Sequence, residues 1–330
     1  MTDPATTTSR ATTVRGFRAG DGPRLVDAWR RSAPADPITP DRFRSLVLLD
    51  ANFDPEGLRV AVDGERVVGA AYAVRRLTPM TGTDLEPEQG WIPFFFVDPA
   101  ARGHGLGRRL LTDALDWLGA HGRTRVDFSS YTPNYVLPGL DAEAYPEAAR
   151  LLASLGFRTL YEAAAMDRGL VGYRFPEEVA LRLDELTAEG YRFATPSDDD
   201  LVDLVALAED HFNPDWTRAI RECVARGGGT ALDRIVVVRE PSGRLVGWAM
   251  HGAYESADER FGPFGVLEET RGTGLGKVLL HLVLERMRAR GAHSAWFLWT
   301  GERSPAGHLY RKAGFTTTRV FRVLRREAAR

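Results

Sequence analysis

The sequence predicts an α/β (α+β) protein made of two similar domains in tandem. A glycine-rich motif, Arg-Gly-x-Gly-Leu-Gly, occurs at residues 102–107 and again at residues 271–276. Each copy follows an apolar run of strand length and precedes a long amphipathic segment, and the order of the flanking elements also repeats. With 330 residues the chain exceeds one typical core, so two domains of about 150 residues each are expected.

Turn and periodicity signals define the elements of the first half. Asp63-Gly64 supplies the positive-φ turn of a hairpin, and the run 91–97 is apolar on both faces, which predicts a central strand. Apolar positions 110, 111, 114, 115 and 118 follow helical spacing. The predicted strands are 13–18, 58–62, 67–74, 91–97, 125–128 and 159–166, and the predicted helices start at Pro23 and cover 41–49, 106–118 and 146–155.

A charged connector separates the two halves, and the same order of strands and helices is predicted after it. Within the connector, residues 176–189 predict a surface helix that ends at Gly190. Strands are predicted at 191–194, 234–239, 245–254, 261–267, 295–299 and 319–324, and helices at 201–210, 215–226, 275–290 and 305–313. The predicted division is a disordered tail over 1–12, a domain over 13–168, a connector over 169–190 and a second domain over 191–330. The first half is longer between its motif and its last helix, in an interval that contains the loop 133–141.

The composition limits the classes of partner. With 43 basic and 45 acidic residues the net charge is −2, which gives no reason to expect nucleic acid or an anionic membrane as a partner. Cys223 is the single cysteine, which excludes an intrachain disulfide and a cysteine metal cluster. The histidines show no metal-ligand spacing, so no metal is expected. No apolar run has the length of a membrane span and no signal-peptide core is present, so a cytoplasmic location is expected.

The repeated motif has the properties of an anion site. The first N–H groups of a helix have no intrahelical partner, and the helix dipole adds partial positive charge there. Glycines let the backbone approach a phosphate closely, and Arg102 or Arg271 adds charge at the same end. The alternative is an ordinary glycine turn that caps a helix. A dinucleotide fingerprint would place its third glycine one residue later, and a nucleotide-triphosphate loop would have Ser or Thr in place of Val278.

The pattern Arg-x-x-Gly-x-Gly after a strand resembles the acyl-CoA pyrophosphate loop of the GNAT superfamily of N-acyltransferases, and two copies resemble its tandem members. The resemblance covers residues 12–326. It implies two GNAT-like domains, each with a mixed, mostly antiparallel central sheet flanked by helices, and acetyl-CoA as co-substrate. The implied coenzyme contacts are Val97, Arg102, Gly103, His104, Gly105, Leu106, Gly107 and Arg108 in the first half and Val266, Arg271, Gly272, Thr273, Gly274, Leu275, Gly276 and Lys277 in the second.

The resemblance also implies catalytic roles in the second half. Tyr310 matches the position of the family's general-acid tyrosine, and a phenol with a pKa near ~10 suits a departing thiolate. The first half has Leu152 there, which donates no proton. A core tyrosine on an amphipathic helix is the alternative for Tyr310. Glu259 lies near the place of a general base and, with Glu255 and Asp258, forms an acidic edge; an exposed acidic turn without a catalytic role is the alternative.

The acceptor groove of the family lies between the first two helices and the ends of the central strands. Matched by order, this implies contacts from Phe212, Asp215, Trp216 and Trp299, although aromatic residues at helix junctions also serve packing. In the first half, Tyr135 lies on the inserted loop 133–141. That loop either shapes an acceptor pocket of the first half or braces a contact between the domains.

We therefore predict an N-acetyltransferase that transfers an acetyl group from acetyl-CoA to the primary amine of a small molecule by direct attack. The Tyr310 and Leu152 contrast favours chemistry in the C-terminal domain. One alternative is catalysis in the N-terminal domain, and another is a non-catalytic acyl-CoA sensor or scaffold. The expected assembly is a monomer or a homodimer.

Overall fold

The computed structural model describes residues 12–227 and 230–327. These residues form two compact units. The first comprises Asp84–Glu162 with the described residues up to Pro79 and those from Phe321 onwards, and the second comprises Ala163–Val320 with Met80–Thr83. The tail predicted at residues 1–12 lies outside the described residues, apart from Thr12.

The first unit is a mixed sheet with helices on both faces. The strands β1 to β4 are antiparallel neighbours in chain order, and β5 pairs with β4 in parallel. The elements are β1 (Thr13–Gly16), α1 (Asp21–Ser32), α2 (Pro40–Phe43) with a π-helical turn (Arg44–Leu48), β2 (Leu58–Asp63), β3 (Arg66–Val74), β4 (Gln89–Val97), α3 (Leu106–Ala120), β5 (Arg125–Phe128) and α4 (Pro146–Ser154).

The central strand of the first unit separates two apolar clusters. On one face, Trp29 of α1 packs against Phe94 of β4 with ring centroids 4.4 Å apart. On the other face, α3 contributes Leu110 and Leu111, which are fully buried with Leu152 of α4. The run at 91–97 is therefore central, as its apolar character on both faces predicts.

The second unit repeats this arrangement. The strands β7 to β10 form a four-stranded antiparallel sheet in the order β10-β9-β8-β7. The elements are α5 (Glu177–Ala188), β7 (Arg192–Ala194), α6 (Leu201–His211), α7 (Pro214–Gly227), β8 (Ile235–Arg239), β9 (Leu245–His251), β10 (Phe261–Val266), α8 (Leu275–Ala289), β11 (Ser294–Thr300) and α9 (Pro305–Lys312). The connector helix predicted at 176–189 is α5.

The last strand of each half differs from the sequence-based division. The strand β6 (Arg158–Gly169) pairs with β11 of the second unit, and the end of β12 (Thr316–Glu327) pairs with β5 of the first unit. Arg325 of β12 binds Asp127 of β5 at 2.7 Å. The prediction assigned 163–168 to the first domain and 321–330 to the second, because neighbouring elements usually pack together. Strand pairing in the tertiary structure exchanges these two segments.

The other element predictions are mostly confirmed. The helix predicted at 41–49 divides into the short α2 and the π-helical turn that follows it. The predicted α/β class, with sheets flanked by helices, is confirmed. Within the described ranges, no helix is long and apolar enough to cross a membrane.

Candidate functional site

The first glycine loop presents an open helix start. Gly103 and Gly105 have φ angles of 87° and 77°, the left-handed region that favours glycine, and α3 begins at the next residue. A Cβ atom built on either glycine would meet no other atom within 4 Å. His104 and Arg108 are exposed beside them. The N–H groups at the start of α3 therefore face accessible space, as an anion site requires.

The strand before this loop, β4, keeps only one of its two neighbouring strands along its last residues. The pairing of β4 with β5 ends at Ile92 and Phe128, whereas β4 continues along β3 as far as Val97. The strands β4 and β5 thus diverge over the last residues of β4.

A cavity of ≈ 370 Å³ lies at this divergence in the first unit. Four regions surround it: the end of α1, the end of β4, the glycine loop with α3, and the inserted loop with α4. The lining residues include Trp29, Ser32, Ala33, Phe94, Phe95, Phe96, Val97, Arg102, Gly103, Gly105, Leu106, Gly107, Arg108, Phe128, Leu137, Gly139, Leu140, Tyr145 and Leu151. The inserted loop therefore forms part of the wall of this cavity, through Leu137, Gly139 and Leu140.

Arg102 makes two hydrogen bonds to backbone carbonyls beside the glycine loop. Its Nε donates to the carbonyl oxygen of Val97 at 3.0 Å, and its second nitrogen donates to that of Ser32 at 2.9 Å. Arg102 thus joins the end of β4 to the end of α1, and both carbonyls belong to residues that line the cavity. Its positive charge stays beside the glycine loop.

The second glycine loop is covered at Gly274, whereas a Cβ atom built on Gly272 would meet no other atom within 4 Å. Gly272 and Gly274 also have positive φ angles, 84° and 94°. A Cβ atom on Gly274 would lie 3.1 Å from the side chain of Arg182, whose Nε donates to the carbonyl of Thr273 at 2.9 Å. Arg182 belongs to α5, so the connector helix lies over this loop.

The cations of the second loop are paired with acids. Lys277 binds Glu178 of α5 at 2.6 Å, and Arg271 binds Glu268 at 2.8 Å. Arg182 in turn binds Glu185 at 2.7 Å and Glu189 at 3.1 Å. The net positive charge offered to an anion is therefore smaller here than at the first loop.

The strands of the second unit also diverge, and aromatic rings lie close to its glycines. In the described residues, the only strand-type link between β10 and β11 is an isolated bridge. It joins Arg260, the residue before β10, to Trp296 of β11. The Phe264 ring comes within 3.4 Å of a Cβ atom built on Gly276, and the Phe212 ring comes within 2.5 Å of one built on Gly265. Val266 and Leu275 are packed into the same core.

Comparison with known proteins decides the family. The profile of the acetyltransferase (GNAT) family matches residues 23–136 and 196–315, once in each half. The chain belongs to the acetyltransferase (GNAT) family. It is an acetyl-CoA-dependent N-acetyltransferase of the GNAT type.

Relatives and solved structures agree with this GNAT assignment. A mycothiol acetyltransferase from Thermobispora bispora is 29% identical over 328 residues, which cover 93% of this chain and 96% of that protein. A tandem GNAT protein from the clavulanic acid biosynthesis pathway has a TM-score of 0.62 at 18% identity, over 97% of this chain and 99% of that one. A glucosamine N-acetyltransferase region of a fungal multi-domain β-N-acetylglucosaminidase has a TM-score of 0.78 at 20% identity and covers 96% of this chain and 38% of that one. At these identities the solved structures show the shared fold.

Tyr310 lies in an aromatic cluster of the second GNAT unit. It is 8% exposed, and its ring centroid is 4.5 Å from that of Phe297. The rings of Phe261, Phe264 and Phe315 complete the cluster within 6.2 Å. Burial raises the pKa of Tyr310 well above its usual range. This environment suits the core tyrosine that the sequence left as an alternative.

Glu259 and its neighbour Asp258 make contacts that stabilise the local structure. The Glu259 carboxylate accepts from the His293 N–H at 3.0 Å, and the Glu259 carbonyl accepts from the Trp296 N–H at 3.0 Å. Asp258 binds Arg234 at 2.9 Å. These bonds fix the start of β11, a role that needs no catalysis.

The predicted acceptor residues of the second half form packing contacts. The rings of Phe212 and Trp216 stack with centroids 5.5 Å apart. Asp215 is fully buried, binds Arg218 at 2.9 Å and accepts from the Tyr254 hydroxyl at 2.9 Å. Trp299 is half-buried on β11. In the first half, the carbonyl of Tyr135 accepts from Arg42 at 3.4 Å.

Tyr145 is a cavity residue that the sequence analysis missed. Asp141 positions it, because its carboxylate accepts from the N–H groups of Glu143 and Ala144 and its carbonyl accepts from the Tyr145 N–H. Pro146 then starts α4. The sequence carries a signal for this position: Asp141 is followed four residues later by Tyr145-Pro146, at a predicted helix start. Among the described residues, no group of three or more His, Cys, Asp or Glu side chains is placed to hold a metal ion.

Proposed function

We propose that the first unit binds acetyl-CoA in the cavity beside Gly103 and Gly105 and transfers the acetyl group to the primary amine of a small molecule. The observation that carries this proposal is the cavity of ≈ 370 Å³, which extends from an open glycine loop to the divergence of β4 and β5. The corresponding glycine of the second unit, Gly274, lies under Arg182.

The residues present fit a pyrophosphate and a pantetheine arm. Open N–H groups and the dipole at the start of α3 favour a bound anion, and the charge of Arg102 adds to that field. The diverging end of β4 offers backbone groups to an amide-containing chain. Bound acetyl-CoA supplies a thioester carbonyl carbon, which the amine nitrogen attacks.

Tyr145 is the residue that we assign to the departing sulfur. As the carbon–sulfur bond breaks, the Tyr145 hydroxyl gives its proton to the thiolate, and the proton lost by the amine nitrogen goes to water. Tyr145 lines the cavity at the start of α4, whereas Leu152 offers no proton on that helix. A phenol is a suitable acid for an alkyl thiolate because their pKa values are close.

The relatives support a small-molecule acceptor. Their name, mycothiol acetyltransferase, describes an enzyme that acts on a small molecule. The cavity of the first unit is bounded by the inserted loop and by α1, which also suits a small acceptor better than a folded protein.

Catalysis in the second unit is the competing proposal. Tyr310 supports it, because Leu309 and Leu151 lie against Gly276 and Gly107 in the same way, so Tyr310 and Leu152 hold equivalent places. This proposal requires that Arg182 and Phe264 leave the second loop before coenzyme binds.

Two matched variants separate these proposals. Gly105→Glu and Gly274→Glu place a carboxylate at equivalent left-handed positions, so backbone strain is similar in both. We expect Gly105→Glu to weaken acetyl-CoA binding roughly a hundredfold or more, since the like charge opposes the pyrophosphate. Gly274→Glu should leave binding nearly unchanged. Calorimetric titration and thiol release measure both effects, and thermal unfolding checks that both variants fold.

The reverse result, in which only Gly274→Glu loses acetyl-CoA binding, would indicate that the active site lies in the second unit. Equal losses would assign a coenzyme to each unit.

A further inference from the structure

A buried polar cluster in the first unit is not used by the chemistry above. Asp50 lies between the π-helical turn and β2, Tyr72 lies on β3, and Tyr131 follows β5. Tyr72 is fully buried, Tyr131 is 1% exposed and Asp50 is 8% exposed. Tyr72 and Tyr131 belong to the apolar cluster on the face that carries α1, together with Phe94 of the cavity wall, whose ring centroid is 5.5 Å from that of Tyr72.

Neighbouring bonds hold two members of the cluster in place. The first carboxylate oxygen of Asp50 accepts from the Asn52 N–H at 2.9 Å. The Asn52 amide donates to the Tyr131 hydroxyl at 2.8 Å, while its carbonyl accepts from the N–H groups of Leu77 and Thr78. The positions of the carboxylate and of the Tyr131 hydroxyl are therefore fixed by backbone and amide contacts.

Two polar atoms of the cluster have no hydrogen-bond partner among the described residues. They are Oδ2 of Asp50 and the hydroxyl oxygen of Tyr72. Burial raises the pKa values of Tyr72 and Tyr131, and the charge of the Asp50 carboxylate raises them further, at Tyr131 together with a side-chain hydrogen bond. A buried polar atom left without a partner destabilises the fold, so such a pair indicates a ligand that completes it.

The chemistry of the three oxygens defines the ligand. A primary ammonium group has three N–H donors, no acceptor and one positive charge. It matches one carboxylate oxygen and two phenol oxygens, and aromatic rings also attract cations. The nearby cation, Arg76, binds Glu86 at 2.6 Å and lies over the rings of Trp91 and Tyr131, with its guanidinium 5.5 Å from the Tyr131 centroid.

We propose that Asp50, Tyr72 and Tyr131 form a subsite for a primary ammonium group, and that this subsite holds the protonated amine of the acceptor next to the coenzyme cavity. The ammonium nitrogen gives one proton to water before it attacks the thioester as a neutral amine. The assignment to the acceptor rests on the proposed function of the first unit. The ammonium site itself does not, because it is built from residues outside the glycine loop.

The test uses methylammonium chloride as the probe, with tetramethylammonium chloride as a matched cation that has no N–H donor. Calorimetry or protein-observed NMR of the full chain should detect methylammonium, and tetramethylammonium should bind at least about tenfold more weakly because it makes no hydrogen bonds. Asp50→Asn should weaken methylammonium binding about tenfold or more, and Tyr72→Phe several-fold. The control Asp41→Asn removes a largely exposed carboxylate of the same segment and should bind as the wild type does.

Stability without a probe gives a second measurement. Because the Tyr72 hydroxyl has no partner, Tyr72→Phe should keep or raise the unfolding midpoint when no amine is present. A lowered midpoint, together with equal binding of the two cations, would mean that the hydroxyl holds water only and would overturn the subsite.

Kinetics connect the subsite to the acceptor. With acetyl-CoA and a panel of primary amines, Asp50→Asn should raise the KM for the amine about tenfold and leave the KM for acetyl-CoA unchanged. Methylammonium binding that disappears in Asp50→Asn without a change in amine KM would keep the ammonium site and reject its link to the acceptor. Loss of acetyl-CoA binding in Gly105→Glu tests the proposed function separately.

Discussion

The two glycine loops share a sequence pattern and a backbone conformation, but they have different neighbours. Gly105 and Gly274 both adopt positive φ at the start of a long helix. Gly105 faces open space, whereas Gly274 faces Arg182 of the connector helix. The motif therefore fixes the conformation of the loop, while accessibility depends on what the rest of the chain places over it.

The space behind the loops differs in the same way. In the first unit, Phe95 packs edge-on against Phe128 at 5.8 Å, and both line the cavity. In the second unit, the matching Phe264 lies against Gly276 and joins the cluster around Tyr310. The same aromatic position thus lines a cavity in the first unit and belongs to an aromatic cluster in the second.

The strongest test of this comparison is the pair Tyr145→Phe and Tyr310→Phe. Removing the Tyr145 hydroxyl should lower kcat roughly a hundredfold to ten-thousandfold, the usual contribution of a general acid. Tyr310→Phe removes the same group from the second unit and should change kcat less than about twofold. Steady-state thiol release measures both, and a large loss in Tyr310→Phe alone would contradict the assignment.

Acid should destabilise the second unit more than the first. His281 on α8 is buried against the Tyr173 hydroxyl at 2.9 Å, and burial lowers its pKa to about 4. The unfolded chain binds this proton below pH ~6.5, so stability falls by up to about 3 kcal/mol as the pH drops from 6.5 to 4. The first unit has Thr112 at the matching place on α3, which does not titrate.

Denaturant unfolding of wild type and His281→Gln between pH 7 and pH 4 checks this expectation. The variant should lose less stability in acid than the wild type. Parallel pH curves for the two proteins would show that His281 has no part in the acid sensitivity.

The two motif arginines should differ in their contribution to stability. Arg102→Met removes charged hydrogen bonds to the carbonyls of Val97 and Ser32 and should destabilise the first unit by about 2 kcal/mol. Arg271→Met removes an exposed ion pair with Glu268 and should change stability by less than about 1 kcal/mol. Thermal unfolding compares them, and equal losses would argue against the structural role of Arg102.

The smallest effect is expected from opening the second loop. Arg182→Ala removes the side chain that covers Gly274, and a second acetyl-CoA should then bind with roughly millimolar affinity. Arg221→Ala, which removes an exposed pairing with Glu209, is the control. A calorimetric stoichiometry that stays at one in both variants would show that Phe264 closes the second site without Arg182.

Local signals in the sequence predicted most of the elements and both glycine loops. The helix at 106–118 and the strand at 91–97 follow from periodicity, which depends only on nearby residues. The exchange of β6 and β12 could not be predicted in this way, because strand partners are chosen by contacts far apart in sequence, such as Arg325 with Asp127. The burial of Tyr310 could not be predicted either, because its four phenylalanine neighbours come from three separate segments: β10, β11 and the residues after α9.

The sequence by itself determined the tandem α/β architecture, the GNAT family and the two loops with left-handed glycines, because each depends on residue type and short spacing. Tertiary structure alone decided that the first loop opens into a cavity and that the second lies under Arg182. It also placed Tyr145 on the cavity wall and brought Asp50, Tyr72 and Tyr131 together. These features depend on packing between distant segments, and packing is set by the shapes of all the neighbouring side chains.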